Sequence, residues 1–297
     1  MDISSGIKAI HDRDQEIGLM DLFLSSAGWD LWNSFDENVP HTADKAKEWW
    51  KNQQAGRAIL VLDALSLREL PWLLQGAADQ KLKVTSVSVT ASELPPETTA
   101  FAKAMGFGQR SSLANNGIGK HPVFTKTRSE STDIPWEDCE ALLTANPNWF
   151  FWHHWPDSRM HDFAALGKGL SNLTQEAIEQ LSSKEFWSFI KNLATGRTLL
   201  VTADHGYAAT GTFPDAHEDQ AKFLKAHFSS QRFSPDIEKS WHSLPPVALA
   251  LNSRQGEYFY TLGRRKWRSP AGYPTLTHGG LSVLEVAVPF IEIAAIG

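Results

Sequence analysis

Two stretches constrain this chain more than any others: AILVLD at 58–63 and RTLLVTADHG at 197–206, each a continuous apolar run closed by a carboxylate. An unbroken apolar run, in place of alternation, marks a strand buried on both faces, as in a parallel sheet covered by helices. The carboxylate then falls at the strand's C-terminal end, where open α/β sheets place their chemistry. VTSVSV (84–89) and the aromatic NWFFWHH (148–154) read as further core strands. Helical patterns lie between them. One runs from about Leu67 to Ala78, a second starts within SELPPETTAFAKAMG (92–106), and a third spans Thr174 to Leu193 with Thr174 as its expected N-cap. Strand and helix alternate, so the expected fold is α/β, with a mainly parallel central sheet sandwiched by helices. From about Tyr207 to Tyr273 the chain is richer in Pro, Gly and charge, and VALALN (247–252) and EYFYTLG (257–263) are expected strands of an inserted or edge subdomain, bounded at 207–277. The closing VLEVAVPFIEIAAI is expected to return to the core sheet.

Charge divides the chain unevenly. Of a net −6, residues 1–56 carry ten acidic and five basic side chains, leaving the other 241 residues almost neutral. With Trp29, Trp32, Trp49 and Trp50 set among polar residues, 1–56 is expected to be an acidic helical segment packed on a core domain of 57–297. The balance argues against a nucleic-acid coat or a polybasic membrane binder, while leaving room for a local basic patch. The single cysteine, Cys139, excludes an internal disulfide, a Cys-rich zinc site and a CxxC pair, so any metal must be held by His and carboxylate. The N-terminus has no secretory pattern and no apolar run approaches roughly 18 residues, so the expectation is a cytoplasmic protein with no membrane partner.

Four segments place metal-competent side chains beside strand ends: Asp63 in VLDALS, Asp157 and His161 in PDSRMH, Asp204 and His205 in TADHG, and His278 in THGG. Each alone has a plain alternative as a cap, turn or surface pair. Asp157 and His161 are spaced i, i+4, which puts them on one face of a helical turn. Together, three aspartates and three histidines at successive strand ends have the composition of a two-cation site.

In order and local sequence these motifs resemble the alkaline phosphatase superfamily, and within it the PglZ domain, over roughly Arg57 to Gly297; THGGLSVLEVAVPFI is the most specific match. The resemblance implies an alkaline phosphatase-like core and two divalent ions, one on Asp157, His161 and His278 and one on Asp63, Asp204 and His205. Such mixed donors suit Zn²⁺ and accept Mn²⁺. It further implies a hydroxyl nucleophile at a helix start after the second strand. In LPPETTAF that is Thr98, with Thr99 as fallback; Pro96 departs from the family's usual hydroxyl residue, and Ser66 ranks third.

LGRRKWR (262–268) is either a solvated charged loop or a phosphate-binding patch in which Arg264, Arg265 and Lys266 hold substrate and Trp267 stacks on a base. Trp149, Trp152 and Trp155 read as core and cleft wall. His153 and His154 are either supports for Asp157 or His161, or polar residues at a strand end. The function implied is a two-metal phosphodiesterase acting on a nucleotide or oligonucleotide within a BREX-like phage-defence or signalling system that supplies protein partners. The alternatives are a phosphomonoesterase or phosphomutase of the same superfamily, or a scaffold in a defence complex.

Overall fold

In a computed structural model, residues 3–53, 56–118, 121–164, 169–211, 213–235, 246–268 and 274–297 are described. The centre is a six-stranded sheet in the order β2-β11-β5-β1-β4-β3. Its strands are β1 (Arg57–Leu62), β2 (Val84–Ala91), β3 (Arg128–Thr132), β4 (Asn148–His153), β5 (Thr198–Thr202) and β11 (Ala287–Ile293). β1 pairs in parallel with β4 and β5, and β3 with β4. β11 alone runs against its neighbours β2 and β5. The short α12 (Val283–Val286) feeds β11 directly from the carboxyl edge. No crossover of a dozen or more residues is available to bring the chain round for a parallel strand, so it runs back.

The side-chain period of two sorts the apolar runs onto two faces. Ala58, Leu60, Leu62, Trp149, Phe151, Leu199 and Val201 meet one core layer, completed by α5 (Leu70–Asp79), α7 (Trp136–Leu142), α9 (Gly169–Ser182) and α10 (Lys184–Ala194). Ile59, Val61, Phe150, Trp152 and Leu200 meet the other, against α4 (Thr42–Asn52) and α6 (Thr98–Met105). Each large side chain buried this way contributes about 1.5–3 kcal/mol. A continuous apolar strand is thus required here because both faces are covered.

The helix expected over 174–193 is two helices. Ser183 separates α9 from α10, and its hydroxyl accepts the Phe186 N–H at 3.2 Å. Thr174 is therefore not an N-cap but a buried residue inside α9. A serine that caps the backbone locally competes with continuation of the helix.

N-terminal to the sheet lie α1 (Ile3–Ser26), α2 (Trp29–Asn33), α3 (Phe35–Asn38) and α4. α1 buries Ile10 together with two aspartates, Asp14 and Asp21. Beyond β5 come β6 (Ala208–Ala209), α11 (Glu218–Phe228), β7 (Phe233–Ser234), β8 (Ala248–Ser253), β9 (Gly256–Thr261) and β10 (Leu276–Thr277). They form a three-stranded sheet β7-β9-β8 and a ribbon β10-β6, apart from the central sheet. Residues 212, 236–245 and 269–273, including the expected boundary at Tyr273, lie outside the described residues. α8 (Asp157–Phe163) follows β4. Among the described residues no helix is long and apolar enough to cross a membrane.

Candidate metal centre

The parallel strands deliver their terminal side chains to one edge. Asp63 directly follows β1, Asp204 lies two residues beyond β5, and Asp157 opens α8 after β4. The turn is tied together by backbone: the Asp157 N–H donates to the Asp63 carbonyl, and the Asp63 N–H to that of His153, both at 3.0 Å. One Asp204 oxygen, Oδ1, accepts the Ala64 and His205 N–H groups at 3.0 Å each, which fixes the carboxylate against the β1 loop.

Two groups of donors result. Asp157, His161 and His278 bring ligand atoms within 4.8 Å of one another, and so do Asp63, Asp157 and His205. Asp157 is common to both, a feature the linear spacing does not reveal. His161 Nε2 lies 3.4 Å and His278 Nε2 3.7 Å from the Asp157 carboxylate. His205 Nε2 lies 3.6 Å from Asp63 and 3.4 Å from Asp204 Oδ2. The His205 and His278 rings stack at 4.2 Å. His205 Nδ1 sits 2.9 Å from its neighbour Gly206's carbonyl, which leaves Nε2 turned to the carboxylates.

Burial perturbs every acid here. Asp63 is pushed well above the carboxylate range by burial and then by the charges of Asp204 and Asp157, against which His205 and Arg110 act. Burial pushes Asp204 up to about 7. Burial opposes ionisation of Asp157 as well, but its bond to His161 and the neighbouring histidines hold it below the usual range. His161 is raised, first by that bond, whereas burial pushes His278 down to about 3. Asp157 Oδ1, Asp204 Oδ2 and His205 Nε2 are buried without a hydrogen-bond partner. Orphaned buried acceptors of this kind, in a mixed imidazole and carboxylate set, fit divalent cations.

Thr98 is the first residue of α6 and half-buried; its hydroxyl donates to Asp63 Oδ1 at 3.4 Å. Thr99 is exposed on the next position. Ser66 faces elsewhere, its hydroxyl accepting from Arg68 at 3.3 Å. His153 accepts the Trp155 N–H and bonds the Ile134 carbonyl, while His154 bonds Ser131, so neither side chain supports Asp157 or His161. Two contacts to Asp63 escape the sequence reading: the Trp152 indole donates to Oδ2 at 3.1 Å, and Arg110 pairs with the same oxygen. Trp152 carries a faint signal as an inward residue of a strand beside β1. Arg110, the first residue of a one-turn 3₁₀ helix (Arg110–Leu113), carries none.

The patch at 264–268 is divided by the fold. Arg264 is fully buried and bonds Asp21 at 2.5 Å and Asp14 at 2.7 Å. Its assignment to substrate is therefore corrected: two aspartates of α1 already neutralise it. Asp14 also pairs with Arg68, so α1 locks the loop after β1 to the stretch preceding His278. Trp267 is likewise no stacking platform, being buried beside Phe228 with its indole bonded to the Ser229 carbonyl at 2.8 Å. Arg265 and Lys266 line a separate crevice.

A family model described as the BREX system PglZ alkaline phosphatase-like domain matches residues 132–293, just over half of the chain. No curated protein matches it.

Proposed function

This chain belongs to the PglZ family of alkaline phosphatase-like domains of BREX systems, and from that premise we propose that it is a divalent-metal-dependent phosphoesterase, acting on phosphodiesters of the nucleotide class within a phage-defence assembly. The observation that carries the reading is the convergence of Asp63, Asp157, Asp204, His161, His205 and His278 on one sheet edge beside the hydroxyl of Thr98. Asp157, His161 and His278 would hold one cation, and Asp63, Asp204 and His205 the other, with Asp157 in reach of both. Such cations, Zn²⁺ or Mn²⁺ by donor type, supply charge neutralisation at phosphorus and a lowered pKa for a bound hydroxyl.

The chain's own residues supply the rest. Thr98 is the nucleophile: its oxygen bonds to phosphorus as the bond from phosphorus to the leaving alkoxide breaks, and water then cleaves the phosphothreonine. Asp63 receives the Thr98 O–H and so aims the oxygen's lone pairs away from itself, toward the open side of the site. α6 begins at Thr98 itself, and the positive end of a helix favours phosphoryl oxygens. Among the described residues Arg110 is the one arginine paired with a carboxylate of the centre. A dianionic monoester calls for more positive charge than that, so the diester is favoured over the monoesterase or phosphomutase alternative.

The test is hydrolysis of bis-p-nitrophenyl phosphate beside p-nitrophenyl phosphate by chelator-stripped protein reloaded with Zn²⁺ or Mn²⁺. Diester cleavage by wild type and Thr99→Ala, lowered roughly a thousandfold or more in Thr98→Ala, is expected. No turnover of either ester with metal bound moves the assignment to a scaffold role.

A further inference from the structure

The two oxygens of Asp63 meet different partners. Oδ1 faces the Thr98 hydroxyl at 3.4 Å and His205 Nε2 at 3.6 Å. Oδ2 accepts the Trp152 indole N–H at 3.1 Å and pairs with Arg110. Trp152 is fully buried and Arg110 partly exposed, so the indole is the fixed partner of the two. An indole nitrogen donates and cannot accept. Its bond therefore holds Oδ2 as an acceptor and leaves Oδ1 turned toward Thr98 and His205.

The sheet and α6 produce this arrangement together. Val61 of β1 and Trp152 of β4 are register partners, and Asp63, two residues beyond Val61, keeps to the same face by the strand period of two. α6 covers that face. Its first residue is Thr98, and Phe101, one turn further on, packs edge to face against the Trp152 ring with centroids 5.3 Å apart. Trp152 thus meets the carboxylate with its N–H and the helix that carries Thr98 with its ring. In the same core layer the Trp50 indole nitrogen is buried without a hydrogen-bond partner, so an acceptor for a buried indole is not general to this layer.

We propose that Trp152 is a positioning residue of the metal centre. Through the bond to Oδ2 it fixes the Asp63 carboxylate so that Oδ1 serves the cation and aims the Thr98 hydroxyl, and through Phe101 it ties the start of α6 to that carboxylate. Hydrogen-bond partners that orient a metal-ligating side chain are typically worth about 10- to 100-fold in metal affinity or activity. The consequence for Thr98 rests on the phosphoesterase reading, whereas the consequence for cation binding does not.

The test compares Trp152→Phe, which keeps an aromatic ring against Phe101 and removes the N–H, with Trp149→Phe. Trp149 is buried on the opposite face of the same strand, with its indole bonded to the Thr144 carbonyl at 3.3 Å. Each variant loses one buried indole hydrogen bond, so an effect of lost packing or stability alone appears in both. Calorimetric titration of Zn²⁺ into chelator-treated protein is expected to show one site roughly tenfold or more weaker in Trp152→Phe, and wild-type affinity in Trp149→Phe. With the indoles labelled by ¹⁵N, an N–H resonance of wild type that is absent from Trp152→Phe should shift as Zn²⁺ binds. Wild-type affinity in Trp152→Phe, an equal loss in both variants, or no indole resonance that responds to Zn²⁺ overturns the role. If Trp152→Phe does not fold, the wild-type resonance decides.

Hydrolysis of bis-p-nitrophenyl phosphate at saturating Zn²⁺ reads the consequence for Thr98. The expected result is a kcat lowered roughly tenfold in Trp152→Phe with KM unchanged, because the lost aim concerns the reacting oxygen and not the binding of substrate. An unchanged kcat overturns that consequence. No turnover by wild type refutes the phosphoesterase reading, and the titration and the indole resonance then judge Trp152 on their own.

Discussion

Replacing Glu69 by glutamine is expected to change how stability depends on pH, in a sense and amount set by the fold. Glu69 is buried where the chain leaves β1 for α5, accepting the Tyr207 hydroxyl at 2.6 Å and the Ser66 N–H at 2.9 Å. Burial outweighs both bonds and the nearby Arg68 charge, and pushes its carboxyl up from 4.5 to about 7. Because the folded pKa lies above the unfolded one, the neutral acid contributes stability that is full below about pH 4.5 and is lost as pH rises through about 7. A shift of that size corresponds to about 3 kcal/mol. Wild type should therefore lose that amount between pH 4.5 and 8 beyond whatever Glu69→Gln loses. Glutamine does not titrate and retains an acceptor for Tyr207 or Ser66 but not for both, so it adds a constant cost of about 1 kcal/mol. The assay is urea unfolding of both proteins, chelator-treated, at half-unit steps from pH 4.5 to 8. Taking the difference between them cancels the titration of the metal-centre acids, which both share. A difference that stays flat across this range, or grows in favour of wild type, refutes the account of Glu69 as a buried neutral acid.

Adding Zn²⁺ or Mn²⁺ to chelator-treated protein should raise stability by about 3 kcal/mol per occupied site at a hundredfold excess over Kd, reversibly with chelator; thermal unfolding reads it, and His278→Ala should lose the share of the cation assigned to Asp157, His161 and His278. Gly206→Ala should weaken metal binding and cost about 1–3 kcal/mol, since a Cβ there would run into the Leu284 carbonyl and displace the backbone beside His205; normal metal affinity in a calorimetric titration would contradict this. Asp14→Ala leaves Arg68 and Arg264 short of a counter-charge in the interior and should cost about 3–5 kcal/mol, whereas truncating the exposed Asp12 should leave the denaturation midpoint almost where it is.

The features legible in the sequence are those that local chemistry fixes. The runs at 58–62 and 199–201 read as strands buried on both faces because they are short, continuous and apolar and each is followed by a carboxylate and a turn. Placing Asp63, Asp157, Asp204 and His205 at one edge follows from parallel strand direction alone. The break at Ser183 was missed because good helix formers flank it and one hydroxyl decides it. Arg110 was missed because its 3₁₀ helix, four residues long, is too short to show a period. Only the tertiary structure put Asp157 between both donor groups and turned β11 against its neighbours. It also separated two adjacent arginines. Arg264 and Arg265 are chemically alike and one residue apart, yet Asp14 and Asp21, some 240 residues upstream, neutralise the first and not the second. Periodicity and propensity act over a few residues, whereas the charge a side chain meets in the interior is set by whichever distant segment packs there.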